Sequence, residues 1–305
     1  MFDELFERGG LSLDRLHSFL AVVDAGSIAA AADRNLNRQS LISRQIRELE
    51  EFFGTELTTR RGKSIAVTPE GRRLGELVRR NLLGMQDFLL EARARPRTIT
   101  IGAGGSALEW LVGPAAKSIK SALGDVTVRL EVNRTAQLVE KVRDGRLDFA
   151  VLRSDAIPRG SSSEPVKEVG FVLCVPKAMD RPKLSVPDLL RELPLVLPVP
   201  GGSFREVLHD YFNEHDIPWK AQVESSSFLQ ALALVKGGEF AAVLPTTGAA
   251  QLPQGEFRIR KIPALREQGR KLILHWNERQ METRGIAPAA ITKVRDAVRG
   301  AVEKQ

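Results

Sequence analysis

Asp24–Glu51 reads DAGSIAAAADRNLNRQSLISRQIRELEE, and its spacing decides the fold of the first third of the chain. Upstream of it, Leu16, Phe19, Leu20 and Val23 recur at helical intervals. They predict a helix over Leu13–Ala25 that stops at Gly26, a residue free to adopt a left-handed closing conformation. Ser27 stands where it can cap a second short helix from Ile28 to Ala32. After the polar break at Asn35 to Asn37, a third helix carries Ile42, Ile46 and Leu49 on one side, with Ser40, Ser43, Arg44 and Arg47 on the other. The small alanines of the second helix allow close packing against the third. A helix pair of this kind, the second member polar on its outer face, is the helix-turn-helix arrangement that lays its second helix in a DNA major groove. Gln39 and Arg44 have the donors and acceptors to read adenine or guanine, and Arg38, Ser40, Ser43 and Arg47 have the reach to touch bases or phosphates.

The plainer alternative is an amphipathic helix with a solvated polar face. The next segment weighs against it. Leu57–Val67, LTTRRGKSIAV, reads as strand, basic turn and strand, a small wing whose Arg60, Arg61 and Lys63 suit phosphate or minor-groove contact.

Taken together, LxxFLAVxxxGS (Leu16–Ser27), AAADR (Ala30–Arg34), SRQIRELEEFFG (Ser43–Gly54), the basic wing and VTPEGRRL (Val67–Leu74) resemble the LysR-type transcriptional regulators. The resemblance implies an N-terminal all-α winged helix-turn-helix with a long linker helix. It also implies a C-terminal α/β, two-lobed, periplasmic-binding-protein-like effector domain. Several residues depart from the family pattern. Asn35 and Asn37 replace apolar residues, Arg38 replaces a capping serine and Thr58 replaces an aromatic residue, which leaves Asn37 as the expected cap of the recognition helix. Phe240, following Gly238 and Glu239, stands where the family commonly has a second glycine.

At 305 residues, 43% of them hydrophobic, the chain has material for two or three compact units. The net charge of +7 does not concentrate in the N-terminal third. Residues 1–96 hold 15 Lys and Arg against 14 Asp and Glu, so affinity for DNA must come from local clusters such as Arg60–Lys63. The single cysteine, Cys174, rules out an intrachain disulfide, and its setting in FVLCV predicts a packed thiol. MFDELFERGG at the N-terminus is acidic and lacks an apolar signal core, and no long apolar run follows, so a cytoplasmic protein is expected. Phe2, Leu5 and Phe6 are expected to dock on the N-terminal domain. The four histidines are scattered without ligand spacing; neither metal nor cofactor is expected.

From Thr68 a long helix is predicted to about Arg93, with Pro69 in its first turn. Leu74, Val78, Asn81, Met85, Phe88 and Ala92 form a seam that wants a partner helix, which favours a homodimer through this element. RARPR (Arg93–Arg97) then reads as a hinge. The expected division is a DNA-binding domain over 1–68, a linker helix over 69–95 and an effector domain over 97–305.

Beyond Thr98 strands alternate with helices. Strands are predicted at Ile99–Ala103, Val126–Val132, Phe149–Leu152, FVLCVP, LVLPV, AAVLP and KLILHW, with helices near Ala136–Arg143, Arg205–His215, Phe228–Lys236 and Pro288–Val302. By resemblance these form lobe one (about 97–170 and 275–305) and lobe two (about 171–274), with crossings near Gly170 and His275. A cleft between the lobes would collect strand ends and helix starts. GAGGS, NRT, GGSFR and PTT offer Ser106, Thr135, Ser203 and Thr246 there, the positions to which the resemblance assigns effector contacts. The alternative for each is an ordinary cap or turn. Arg134 and Arg205 lie beside these loops and suggest a small anionic effector, a carboxylate or oxyanion.

Gly102, Gly104 and Ala107 also satisfy GxGxxA after a strand, with Glu131 ending the next, as in a dinucleotide-binding unit. Trp110 and Pro114 interrupt the helix that would receive the pyrophosphate, and no Ser-His-Asp set, HExxH or P-loop lysine is present. A free solute-binding protein does not account for the helix-turn-helix. The sequence therefore reads as a DNA-binding transcriptional regulator and not an enzyme, dimeric or tetrameric. Its expected partners are double-stranded DNA, a small-molecule effector, a second copy of itself and RNA polymerase.

Overall fold

The computed structural model describes residues 2–7, 9–61, 64–267 and 270–301. Contacts group it into two compact units. The first is Met1–Arg95 with two short segments, Arg143–Arg146 and Arg279–Gly285; the second is Pro96–Val142, Leu147–Glu278 and Ile286–Gln305.

In the first unit the helix Leu13–Ala25 opens on Ser12, whose hydroxyl accepts from Arg15 N–H at 3.3 Å, and closes on Gly26 at φ 73°. Ser27 caps the one-turn helix Ile28–Ala31 in the same way. The chain then turns through Asp33 and Arg34, both at positive φ (50° and 61°), and delivers Asn35 in extended conformation. Asn35, not Asn37, caps the recognition helix Leu36–Phe53: its Oδ1 accepts from Arg38 N–H at 3.1 Å. The left-handed pair ahead of it brings the first of the two asparagines to the helix entrance. Ile42, Ile46 and Leu49 pack on Phe19, Val22, Ile28 and Leu57 to make the core.

Strands β1 (Thr58–Arg61) and β2 (Ser64–Val67) form the antiparallel wing, with Thr58 opposite Val67. Thr68 caps the long helix Pro69–Ala92, accepting from Gly71 N–H and donating to the Glu56 carbonyl. Gly71 is required here, since a Cβ would stand 2.2 Å from the Leu57 carbonyl oxygen. The first two residues of the predicted seam are taken up within the chain, Leu74 packing against the core of the DNA-binding unit. Val78 turns inward and is buried, while Leu77, Met85, Phe88 and Leu89 are exposed beside Asn81. Asn81 bonds back to the Leu77 carbonyl of its own helix. Phe2, Leu5 and Phe6 do not dock: around the single turn Asp3–Phe6, Phe6 is 84% exposed. One acidic turn without a side-chain cap has too little apolar surface to hold itself down.

The second unit holds two five-stranded sheets. The first is ordered β4-β3-β5-β12-β6, from β3 (Arg97–Ala103), β4 (Val126–Val132), β5 (Phe149–Arg153), β6 (Ser163–Val169) and β12 (Arg270–Trp276). β3 runs parallel to β4 and β5, and β12 runs antiparallel to β5 and β6. The second is ordered β11-β7-β10-β8-β9, from β7 (Phe171–Pro176), β8 (Leu195–Pro198), β9 (Ala221–Ser225), β10 (Ala241–Pro245) and β11 (Phe257–Lys261). Helices cover both faces of this sheet, giving one core with Phe204, Leu208 and Phe212 and another with Ala231, Leu232 and Val235.

The outward crossing falls at Gly170, between β6 and β7. The return does not fall near His275. That residue pairs with Ala150 and Ser163 in the first sheet, and β12 is already part of that sheet at Arg270, so the chain returns before it. The helical segment Pro263–Glu267 occupies the way back.

Candidate nucleic-acid interface and effector cavities

The outer face of the recognition helix is open. Arg38, Ser40, Arg44 and Arg47 are exposed, and Gln39 and Ser43 are half-buried. Local contacts restrain several of them. Arg38 pairs with Asp33 at 2.8 Å, Ser40 donates to the Leu36 carbonyl, and Arg44 lies 3.6 Å from Glu48 one turn on. Arg47 and Ser43 look across a groove of about 390 Å³ to Thr58 and Thr59 of the wing. Arg60 and Arg61 lie on β1, where only their backbone is described, and Lys63 lies outside the described residues. Asn37, freed from capping, is exposed in the first turn beside Leu36.

Glu50 is a contributor that the sequence reading passed over. Its Oε1 accepts from Leu57 N–H and Thr58 N–H at 2.9 Å and from the Thr58 hydroxyl at 3.0 Å. One carboxylate at the far end of the recognition helix thus fastens the first strand of the wing. The departure at Thr58 signals only the third of these bonds, through a hydroxyl that a phenylalanine would lack.

Of the four hydroxyl positions of the second unit, two line cavities, and those two cavities differ. Ser203, first residue of the helix Ser203–Glu214, lines a cavity of about 240 Å³ with Arg153, Ser154, Asp155, Phe171, Phe204, Arg270 and others. Thr246 lines a separate cavity of about 730 Å³ with Glu168, Gly170, Val172, Lys261 and Ile262. Phe171 borders both. Ser106 and Thr135 border neither.

The arginines named from sequence also lie elsewhere. Arg205 donates to the Pro198 carbonyl at 2.5 Å, stands 3.4 Å from Glu224 and lies over the Trp219 ring at 4.5 Å. Arg134 is exposed at the start of the helix Thr135–Arg143, where its backbone N–H bonds Gln137. Arg153 and Arg270, ending β5 and starting β12, take their place beside Ser203. Arg153 donates to Ser203 Oγ, and its Nε is 3.2 Å from Asp155. Arg270 lies over Phe171 and Phe228 at 5.4 and 5.6 Å. Burial, then the charge of Arg153, draws its pKa down to about 10, with Asp155 acting against them.

The GxGxxA segment is not a phosphate cradle. A Cβ on Gly102 would meet Leu147 and Leu138 at 2.5 and 2.6 Å, so this glycine serves core packing. After it the chain runs through a short turn into the π-helical stretch Leu108–Val112. Trp110 packs in the core of the second sheet, against Gly248. Cys174, on β7, is fully buried, which pushes its thiol up to about 12. Among the described residues no group of His, Cys, Asp and Glu is arranged to hold a metal, and no helix is long and apolar enough to cross a membrane.

A winged helix-turn-helix with a long helix, joined to a two-lobed α/β domain, defines a ligand-responsive DNA-binding regulator. Residues 13–72 match the family model described as bacterial regulatory helix-turn-helix protein, lysR family, and residues 92–299 match the LysR substrate binding domain. The chain belongs to the LysR family of transcriptional regulators. A probable hydrogen peroxide-inducible genes activator of Mycobacterium leprae is 26% identical over 77% of this chain and 78% of its own. Among solved structures, a full-length OxyR variant from Pseudomonas aeruginosa has a TM-score of 0.65 at 22% identity, covering 95% of each chain. Full-length CbnR in complex with its target DNA has a TM-score of 0.56 at 21% identity, covering 95% of this chain and all of that one. The Mycobacterium relative is by its name a gene activator, and the present chain is a transcriptional regulator and not an enzyme.

Proposed function

We propose that the protein reads a pseudo-palindromic operator as a homodimer and answers to a small anionic effector held between its two lobes. The observation that carries the effector class is the pair of guanidinium groups, Arg153 and Arg270, beside Ser203 in one cavity. Ser203 is the contact the geometry favours, with Thr246 in the neighbouring cavity; Ser106, Thr135, Arg134 and Arg205 have weaker claims because they border neither.

On the DNA side, Gln39 and Arg44 discriminate bases, joined by Asn37. Arg38, Ser40, Ser43 and Arg47 hold phosphates or base edges, and the wing residues Arg60, Arg61 and Lys63 add backbone contacts. The exposed stripe of Leu77, Met85, Phe88 and Leu89 is the dimer seam, and tetramers form by pairing of dimers. RNA polymerase is the partner through which a shift in dimer arrangement changes transcription in the cytoplasm. The effector must prefer one arrangement of the lobes, since tight binding alone shifts nothing.

The Mycobacterium relative is named as a probable activator of genes induced by hydrogen peroxide. A peroxide response through a thiol of this chain would need an accessible, acidic cysteine, and Cys174 is neither. Gel shifts on fragments from around the protein's own coding region, against excess nonspecific competitor, test the reading. A discrete shift altered by small carboxylates but not by their amides is the expected result; uniform, competitor-sensitive binding indifferent to both overturns it.

A further inference from the structure

Two guanidinium groups and one carboxylate meet in the cavity beside Ser203. Arg153 and Arg270 belong to the first sheet; Phe171, Phe228 and Ser203 belong to the lobe built on the second. Arg153 reaches Ser203 with one N–H, while its buried Nε, 3.2 Å from Asp155, makes no well-directed hydrogen bond. Arg270 rests on the two aromatic faces, and among the described residues its guanidinium has no hydrogen-bond or ion-pair partner. These three ionised side chains leave an unbalanced positive charge. Lys271, exposed at the rim, adds to it.

We propose that Asp155 is an internal stand-in for the anionic group of the effector. A small carboxylate displaces it from Arg153 and bridges Arg153 to Arg270. The proposal rests on reading this cavity as the effector site. Asp155 suits the role because it sits on the short turn Ser154–Ala156 with its side chain 67% exposed. It can leave for water at the small cost of a surface ion pair. The arriving carboxylate gives Arg153 a two-point acceptor and Arg270 its first, the geometry that guanidinium groups hold best. Because both arginines also touch the second lobe, the exchange rewrites contacts between the lobes at the moment of binding.

The test uses the full chain with sodium propionate, hexanoate and benzoate, each against its primary amide at constant ionic strength, read by thermal shift and calorimetric titration. The variants are Asp155→Asn, Arg270→Met and, as a surface control, Arg181→Met. Carboxylates but not amides should bind wild type and the control. Asp155→Asn should bind them about two- to fivefold tighter, and Arg270→Met should lose about tenfold or more. If Arg270→Met does not fold, Arg270→Lys, which keeps the charge but not the two-point geometry, should show the loss. Carboxylate binding that Asp155→Asn leaves unchanged or weakens overturns the stand-in while leaving an anionic effector standing. No carboxylate binding, or equal binding of the amides, overturns both.

Discussion

Glu50 Oε1 accepts hydrogen bonds from both the backbone N–H and the hydroxyl of Thr58, at 2.9 and 3.0 Å. The recognition helix and the wing are therefore joined at one carboxylate. Glu50→Ala leaves two partly buried N–H groups without their acceptor and should cost about 1–3 kcal/mol, while Thr58→Val, which removes only the hydroxyl bond, should cost about 0.5–1.5 kcal/mol. Urea unfolding of the two variants checks the order; a Thr58→Val loss as large as that of Glu50→Ala would show that the backbone bonds contribute nothing.

Trp110 and Gly248 form a second close pair. A Cβ at residue 248 would stand 2.7 Å from the indole ring, so Gly248→Ala should destabilise by about 1–3 kcal/mol through overpacking. Adding Trp110→Phe should make the Gly248→Ala step less costly. A double-mutant cycle with no coupling energy would show that the ring moves aside freely.

Phe88 is 73% exposed on the long helix and Val78 is buried. Phe88→Glu should convert the oligomer to monomer in sedimentation velocity while leaving the melting temperature of the isolated chain nearly unchanged. An unaltered sedimentation coefficient would place the seam elsewhere.

The thiol of Cys174, pushed up to about 12 by burial, stays protonated across the working pH range. Iodoacetamide at mildly alkaline pH should leave the folded protein unmodified and label it rapidly in denaturant, and hydrogen peroxide should not change its DNA binding. Rapid native labelling would contradict the burial.

The DNA-binding unit was legible because its helices carry both periodicity and punctuation: Gly26 and Ser27 cap their ends as residue type predicts, and Ser12, Gly54 and Thr68 do so at ends for which no cap was predicted. The cap of the recognition helix was misread because two asparagines compete there. Only the left-handed turn at Asp33 and Arg34 decides between them. In the second unit the strands that escaped notice, β6, β9 and β11, are all sheet edges. Their charged residues, such as Glu164, Lys167, Arg258 and Arg260, belong to half-solvated strands and mask the apolar signal that made the buried β7 and β10 obvious. The cleft hydroxyls were found as a class but not sorted, since a serine after a strand looks the same whether it caps a helix or lines a cavity. Arg153 and Arg270 gave no local signal. They meet because antiparallel pairing of β5 and β12 brings the end of one strand beside the start of the other.

The central claim, that the outer face of Leu36–Phe53 reads base sequence, is tested most directly by binding isotherms of wild type and Arg44→Ala. They would be measured by fluorescence anisotropy on a duplex from the fragment that gives the discrete gel shift and on a scrambled duplex over a salt series. Arg44→Ala should lose about 1–3 kcal/mol on the operator and far less on the scrambled duplex, with the wild-type preference narrowing accordingly. Equal loss on both duplexes, or no loss on either, would contradict base reading by this face.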